Sequence, residues 1–179
     1  MLKSGKFMLN KNVSIRLAVP TDASIMAEVK MRSWEVAYKD FIPESFMKER
    51  RKNILSRTEH ILLDEHQKLF QYVILLNDVI VGVMSLGPTQ GDDTDDAVYD
   101  LQAIYVHPDY YRQGIGSMAI EHAFDIARNL SKTAMIVWVF EKNINSVNFY
   151  KKCGFVADGK TRLLEYGTLL NCIRMKREL

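Results

Sequence analysis

The chain has 179 residues, which is enough for a hydrophobic core, and we expect a single domain over residues 1–179. Its 24 basic and 22 acidic residues leave a net charge of +2, a balance that disfavours a nucleic-acid-binding or membrane-surface protein. Two cysteines and four scattered histidines predict neither a disulfide framework nor a metal site, so we expect a cytoplasmic protein without a metal.

The first half of the chain predicts a strand, two helices and a β-hairpin. A strand at 13–19 precedes a helix that Thr21 is placed to cap, and Pro43 opens a second helix. Asn77 and Asp78 then separate two apolar runs, and both residues tolerate the left-handed backbone of a tight turn. The apolar runs are therefore predicted to pair as antiparallel strands.

Strands and helices alternate in the second half of the chain. The strand at 98–106 is followed by a helix at 115–130, in which apolar residues recur near helical spacing. The run at 134–140 is apolar on both faces, as expected of a strand that is covered on both sides. A short helix at 145–152 ends near Gly154, which suits a left-handed C-terminal cap. In chain order, the predicted strands are 13–19, 71–76, 79–86, 98–106, 134–140, 155–159 and 168–175.

A glycine-containing segment, Tyr111-Arg112-Gln113-Gly114-Ile115-Gly116-Ser117, lies between a predicted strand and a predicted helix. Glycines let the backbone approach a ligand closely, and the first turn of a helix offers unpaired N–H groups and a positive dipole end. With Arg112 nearby, the segment predicts a phosphate-binding site.

The same glycines match part of the dinucleotide-binding fingerprint. Eight residues, 107–114, stand where that fingerprint has a very short turn, and no acidic residue follows about 20 positions on to bind a ribose. This context disfavours a dinucleotide site. From the glycine motif alone, a turn with a purely structural role stays open.

A second motif starts about 26 residues after the glycines, directly behind the buried strand. It reads Asn143-Ile144-Asn145-Ser146-Val147-Asn148-Phe149-Tyr150-Lys151-Lys152-Cys153-Gly154-Phe155. Together with Val106-His107-Pro108 and Gly114-Ile115-Gly116, in this order and spacing, it resembles the GNAT N-acetyltransferase superfamily. The predicted order of strands and helices resembles that family over the whole chain. Two positions depart from the family pattern: Tyr111 stands where Arg or Gln is usual, and Ser146 stands where Ala is usual.

The resemblance implies a fold and an activity. The fold is α/β, with a mixed, mostly antiparallel sheet of six or seven strands, helices on both faces and a splay between the fourth and fifth strands. The activity is transfer of an acetyl group from acetyl-CoA to a primary amine by direct attack. A homodimer is an expectation at the level of the family. The alternative function is a catalytically silent CoA-binding regulatory module.

The resemblance also implies how this chain would hold acetyl-CoA. Backbone groups along the fourth strand would pair with pantetheine, and the N–H of Val106 would polarise the thioester carbonyl. The amides from Arg112 to Ser117 would hold the pyrophosphate, and Lys152 would reach an outer phosphate. The cofactor-binding residues implied are Ile104, Tyr105, Val106, Tyr111, Arg112, Gln113, Gly114, Ile115, Gly116, Ser117, Asn143, Ser146, Tyr150 and Lys152.

Two residues are candidates for proton transfer. An amine with a pKa near 10 is protonated at neutral pH, so a base must take its proton before it attacks. Asp100 stands at the position where the family often has Glu, and it would act directly or through water; a structural carboxylate is the alternative. Tyr150 matches the family's tyrosine that gives a proton to the departing thiolate; a tyrosine packed on the CoA chain is the alternative. Cys153 is disfavoured as a nucleophile because no histidine is paired with it in sequence.

The acceptor amine is expected between the first two helices and the splay. Trp34 and Tyr38 share one helical face, and with Phe41 they would form an aromatic wall that holds a cationic amine; core packing is the alternative. Glu35 and the aspartate-rich loop at 87–96 would add negative charge, although that loop is more simply a solvated connection. A small amine, a polyamine and a peptide amine all stay open.

Overall fold

Residues 12–64, 66 and 68–179, which this computed structural model describes, form seven strands and four α-helices. The strands are β1 (Val13–Leu17), β2 (Phe70–Leu76), β3 (Val79–Pro88), β4 (Val98–Val106), β5 (Ala134–Phe140), β6 (Val156–Glu165) and β7 (Leu169–Glu178). The helices are α1 (Ala23–Tyr38), α2 (Glu44–Leu63), α3 (Ile115–Asn129) and α4 (Ile144–Lys152). Short 3₁₀ turns occur at Pro20–Asp22, Gly91–Asp93 and Pro108–Tyr110.

The strands form one sheet in the order β1-β2-β3-β4-β5-β7-β6. Neighbours are antiparallel except β4 and β5, which are parallel. This pair is joined only from Val98 opposite Ala134 to Asp100 opposite Ile136. Beyond Asp100 the two strands diverge, so the splay predicted between the fourth and fifth strands is confirmed, as is the mixed α/β fold.

Helices cover both faces of the sheet. Successive strand residues point to opposite faces. On β2, Val73 packs with Met26 and Val29 of α1, whereas the next residue, Ile74, belongs to the core that contains Phe124 of α3. Helix α1 therefore lies on one face, and α3 and α4 lie on the other, as predicted.

Two predicted turns are confirmed by their backbone angles. Asn77 and Asp78 have φ values of 49° and 65°, which are the left-handed angles that a two-residue hairpin between β2 and β3 requires. Gly154 follows α4 with φ of 86°, the conformation of a left-handed helix end.

The first strand and first helix differ from the sequence prediction. Strand β1 ends at Leu17 rather than at residue 19, and Thr21 does not cap the helix. Instead, the Asp22 carboxylate accepts a hydrogen bond from the Val19 N–H at 2.8 Å and pairs with Arg16 at 2.7 Å. This pair fixes the turn that leads into α1.

The sixth strand is also longer than predicted. It was expected to stop at residue 159, but β6 continues to Glu165. Gly159 has φ of 87° and lies inside a register shift between Ala157 and Thr161, after which pairing with β7 resumes. The glycine is thus part of a bulge rather than the end of the strand, and the extra length brings a further segment to the splay.

Every helix in the described ranges is too short or too polar to cross a lipid bilayer. The same residues bring no group of three or more His, Cys, Asp or Glu side chains together in a way that could hold a metal ion.

Candidate active site

A cavity of about 620 Å³ opens where β4 and β5 diverge. At one end, which we call the glycine-loop end, it is lined by Tyr110–Arg112, Gly114–Ser117 and α4. At the other, which we call the aromatic end, side chains come from α1, β4, β5, β6, β7 and the turn between β6 and β7. The aromatic end consists of Trp34, Tyr38, Asp100, Trp138, Phe140, Arg162, Leu164, Tyr166 and Cys172.

The glycine-loop end presents the N-terminus of α3. Gly114 precedes the helix with φ of 82°, and a Cβ atom there would meet no described atom within 4 Å, so the space above it is open. The first helical hydrogen bond runs from the Met118 N–H to the Gly114 carbonyl at 3.1 Å. The amides of Ile115, Gly116 and Ser117 therefore belong to the first turn, where N–H groups lack helical partners, and they suit an anion.

Gly116 lets α4 approach this turn. A Cβ atom at Gly116 would lie 3.2 Å from Cζ of Phe149, which is tighter than ordinary van der Waals contact. The two glycines are thus required for different structural reasons. Gly114 supplies a backbone angle, whereas Gly116 supplies a close approach between helices.

The backbone of β4 borders the middle of the cavity. The His107 N–H donates to the Val81 carbonyl of β3 at 2.7 Å. Because backbone groups alternate along a strand, those of Ile104 and Val106 face the opposite edge, toward the splay. The Val106 carbonyl accepts a hydrogen bond from Oγ of Ser33 at 2.8 Å. Ser33 lines the cavity and was missed by sequence reasoning, since nothing in its local sequence links it to a residue 73 positions away.

Asn143 and Tyr150 belong to the second sequence motif, and both line the cavity. Oδ1 of Asn143 accepts a hydrogen bond from the Ser146 N–H at 3.1 Å, so this side chain caps α4. Tyr150 is buried, and burial raises the pKa of its hydroxyl well above the usual range. The hydroxyl therefore carries its proton at neutral pH.

Asp100 is the last residue of β4 that pairs with β5, and it sits at the apex of the splay. Its side chain lines the cavity and is 7% exposed, and its Oδ1 is buried without a hydrogen-bond partner among the described residues. Burial raises the pKa of Asp100 to about 7, against attraction by Arg162 and Arg174. A carboxyl group with this pKa can both accept and release a proton near neutral pH.

The aromatic end contains a cluster of rings that sequence reasoning found only in part. Trp34 and Tyr38 both line the cavity, with ring centroids 4.8 Å apart. Phe140 lies 5.2 Å from Tyr38, and Tyr166 lies 5.5 Å from Trp34. Phe41, predicted as a third wall residue, packs behind Tyr38 at 5.6 Å and does not line the cavity.

The charged groups predicted near the acceptor are arranged differently. None of the four aspartates at 92–96 lines the cavity. Asp93 accepts hydrogen bonds from Nε1 of Trp138 at 3.0 Å and from Arg174 at 2.6 Å, and it pairs with Lys160 at 3.2 Å. This loop is therefore anchored to the sheet by Asp93. Glu35 also lies outside the cavity, paired with Arg32 and Arg51.

Two of the predicted cofactor-binding residues are not brought to the cavity. Lys152 is exposed, and Gln113 hydrogen bonds to the Asp109 carbonyl. The remaining twelve do line it: Ile104, Tyr105, Val106, Tyr111, Arg112, Gly114, Ile115, Gly116, Ser117, Asn143, Ser146 and Tyr150. Cys153 lies outside the cavity, and burial raises the pKa of its thiol, which disfavours a nucleophilic role.

Comparison with solved structures supports the fold. The PaiA N-acetyltransferase from Thermoplasma acidophilum, solved in complex with coenzyme A, superposes with a TM-score of 0.75 at 17% identity, over 94% of this chain and 99% of that one. The apo form of YjaB from Escherichia coli superposes with a TM-score of 0.67 at 22% identity, over 92% of this chain and 97% of that one.

Two curated relatives are similar in sequence over shorter segments. The peptidyl-lysine N-acetyltransferase YjaB of Salmonella typhimurium is 38% identical over 41% of this chain and 49% of its own length. The L-amino acid N-acyltransferase MnaT of Escherichia coli is 28% identical over 51% of this chain and 55% of its own length. The chain thus spans about half the length of these two relatives.

A family model covers most of the chain. The model of the acetyltransferase (GNAT) family matches residues 30–155, a range that contains the splay, the glycine loop and helix α4. The match extends over well more than half of the sequence, and it includes both motifs that carried the resemblance. The chain therefore belongs to the GNAT family of acetyltransferases.

Proposed function

We propose that this protein, acting as a single domain, transfers an acetyl group from acetyl-CoA to a primary amine. The observation that carries the proposal is that the buried carboxyl group of Asp100, whose Oδ1 has no hydrogen-bond partner among the described residues, lies in the same cavity as the Tyr150 hydroxyl. One group can take a proton and the other can give one, at the point where two strands open a gap. The activities for which YjaB and MnaT are named, both acylations of an amine, support the same reaction class.

The glycine-loop end suits the phosphates of acetyl-CoA. The first-turn amides of α3 and the side chain of Arg112 would hold the pyrophosphate, and the open space above Gly114 leaves room for it. The edge of β4 that faces the splay, at Ile104 and Val106, would pair with the pantetheine arm as an added strand does. Acetyl-CoA would supply an activated acyl group, and the protein would position the two substrates and transfer protons.

Asp100 is proposed as the general base. The attacking nitrogen forms a bond to the acetyl carbon, and the proton it loses passes to the Asp100 carboxylate, directly or through water. Because the pKa of Asp100 is raised to about 7, its carboxylate is a stronger base than an exposed aspartate and is still largely ionised above neutral pH.

Tyr150 is proposed as the general acid. As the carbon–sulfur bond breaks, its hydroxyl gives a proton to the sulfur, and the free thiol of CoA leaves. The Val106 N–H, on the edge of β4 that faces the splay, would stabilise charge on the carbonyl oxygen. The hydrogen bond from Ser33 to the Val106 carbonyl holds this part of the strand in place.

Two measurements test the proposal. In thermal unfolding, acetyl-CoA and CoA should raise the midpoint, whereas NAD should not; stabilisation by NAD alone would contradict the proposal. In a free-thiol assay, primary amines should accelerate the release of CoA. Stabilisation by acetyl-CoA without any amine-dependent thiol release would favour the catalytically silent CoA-binding module instead.

A further inference from the structure

The described residues that line the cavity carry few full charges. Asp100 is the sole carboxylate among them, and Arg112 and Arg162 are the sole basic side chains. Arg112 belongs to the glycine-loop end, so the lining of the aromatic end has one carboxylate and one guanidinium. The guanidinium of Arg50 also lies over the Trp34 ring, 3.5 Å from its centroid, but Arg50 does not line the cavity. A ligand that complements this end carries one cationic or proton-donating group and one anionic group.

Arg162 reaches the aromatic end from β6, within the stretch that continues past Gly159. Its guanidinium lies over the ring of Trp138, 4.2 Å from the centroid. It forms no ion pair with any residue that the structure describes. Arg174, on the neighbouring strand β7, pairs with both Asp93 and Asp158. Of these two arginines at the sheet surface, Arg162 is the one whose charge is not committed to a carboxylate.

The position of Arg162 relative to Asp100 matters for the ligand. The two residues are close enough for the positive charge to lower the pKa of the carboxyl group, although burial outweighs it. A guanidinium offers a planar fork of donors that matches a carboxylate in two hydrogen bonds. An anion bound at Arg162 would therefore lie near an amine positioned at Asp100.

A polyamine fits this end poorly. Each ammonium group removed from water needs a partner, and the described lining offers Asp100 alone, which the reaction requires as a base. Asp93 is already bound by Arg174 and Lys160, and Glu35 is bound by Arg32 and Arg51. The arrangement disfavours a substrate with several positive charges.

On the basis of the acetyl transfer proposed above, we propose that the acceptor is a small zwitterionic amine of the α-amino-acid class. Its carboxylate binds Arg162, its amino group is directed to Asp100, and its side chain packs against the rings of the aromatic end. The rings of Trp34, Tyr38 and Tyr166 provide an apolar surface for a hydrophobic or aromatic side chain.

Matched pairs of acceptors test this class. The pairs are L-phenylalanine with phenethylamine and L-leucine with 3-methylbutylamine, in which the second member lacks only the carboxylate. CoA release is measured at several pH values, and rates are corrected for the fraction of neutral amine. We expect kcat/KM for each amino acid to exceed that of its partner by about 10- to 100-fold, the effect of a charge-assisted hydrogen-bonded pair.

Substitution of Arg162 tests the assigned residue. Arg162→Gln should raise the KM for the amino acids and bring the ratio of kcat/KM values within each pair close to one. Arg162→Lys should restore part of the preference for the amino acid. Arg128→Gln is the matched control, because Arg128 lies on α3 outside the cavity and pairs with Asp125. If Arg162 had only a structural role through its contact with Trp138, Arg162→Gln would lower kcat/KM equally for both members of a pair.

The possible outcomes separate the two proposals. Equal turnover of both members of each pair, or an equal loss for both in Arg162→Gln, would overturn the role of Arg162. Preference for spermidine or for a lysine blocked at its α-amino and carboxyl groups would overturn the acceptor class while acetyl transfer stands. If no amine in the set accelerates the release of CoA, acetyl transfer itself would be overturned, and the acceptor class with it.

Discussion

The two ends of the cavity are built in different ways. The glycine-loop end comes from a few nearly adjacent residues, 110–112 and 114–117, which present mainly backbone groups, together with helix α4. The aromatic end is made of side chains from α1, β4, β5, β6, β7 and the turn between β6 and β7. Backbone amides bind a phosphate whatever the neighbouring side chains are, whereas an acceptor is selected by side chains. The first end is therefore expected to tolerate substitution of exposed side chains, and the second is not.

The two ends also differ in their response to pH. Helix amides do not titrate, so binding at the glycine-loop end should vary little with pH. Asp100, at the aromatic end, has a pKa raised to about 7 by burial. Changes in pH and in single side chains thus separate the two ends experimentally.

The largest effect is expected from Asp100→Asn. Loss of a general base costs about 100- to 10,000-fold in rate, and we expect a fall in kcat within that range with little change in acetyl-CoA affinity. In the native enzyme, kcat should rise as pH increases through about 7, because Asp100 loses its proton there. The variant should lack this step.

Asp92→Asn is the matched control, since Asp92 is exposed and lies outside the cavity. Steady-state kinetics from pH 5.5 to 9 and calorimetric titration with acetyl-CoA would measure both quantities. A pH step near 7 that persists in Asp100→Asn would show that another group is the base.

A smaller effect is expected from Tyr150→Phe, on helix α4. A thiol with a pKa near 8.5 is already a fair leaving group, so removing the hydroxyl should slow the reaction by more than about tenfold without abolishing it. Acetyl-CoA binding should be nearly intact, because the ring remains. Tyr72→Phe, on β2 outside the cavity, controls for the loss of a half-buried hydroxyl. An unchanged kcat would exclude the acid role.

At the glycine-loop end, the corresponding test is Gly114→Ala compared with Gly91→Ala. Both glycines have left-handed backbones, with φ of 82° and 62°, and a Cβ atom at either would meet no described atom within 4 Å. Alanine in this conformation costs about 1–2 kcal/mol, so both variants should unfold more easily by a similar amount. Only Gly114→Ala should also weaken acetyl-CoA binding, by about tenfold, because relaxation of its backbone moves the first-turn amides of α3. Equal affinities in the two variants would contradict the role of these amides.

The different construction of the two ends explains how much of the site was predictable from sequence. The glycine loop and the turns at Asn77-Asp78 and Gly154 were predicted because their backbone requirements appear within a few adjacent residues. Ser33 was missed because its hydrogen bond joins residues 73 positions apart. The anchoring of Asp93 by Arg174 joins residues 81 positions apart, so the aspartate-rich loop could not be assigned from local sequence.

The residues of the aromatic end could also be predicted from sequence only in part. Trp34 and Tyr38 were predicted because their helical spacing places them on one face. Arg162 and Tyr166 were missed because a strand that ends at Gly159 would not bring them to the cavity, whereas Gly159 lies in a bulge and the strand continues to Glu165. A glycine in sequence does not distinguish a strand end from a bulge, and that distinction depends on pairing with β7.

The smallest effect concerns the thermal stability of the protein, and it follows from the burial and the raised pKa of Asp100. Its folded-state pKa, about 7, lies above the usual value, so the folded protein keeps a proton that the unfolded chain releases between about pH 4 and pH 7. The contribution of Asp100 to the free energy of unfolding should therefore fall as pH rises through this window. Asp100→Asn, which removes the buried ionisation, should raise the unfolding midpoint at pH 8 by several degrees, since about 1 kcal/mol corresponds to 2–4 °C in a chain of this size. At pH 4, where both side chains are neutral, the two midpoints should nearly coincide. Thermal unfolding of the native protein, Asp100→Asn and Asp92→Asn at both pH values measures the difference. A native midpoint at pH 8 equal to that of Asp100→Asn would mean that the carboxylate is satisfied in the folded protein, and would contradict the role of Asp100 as a strained, reactive base at the aromatic end.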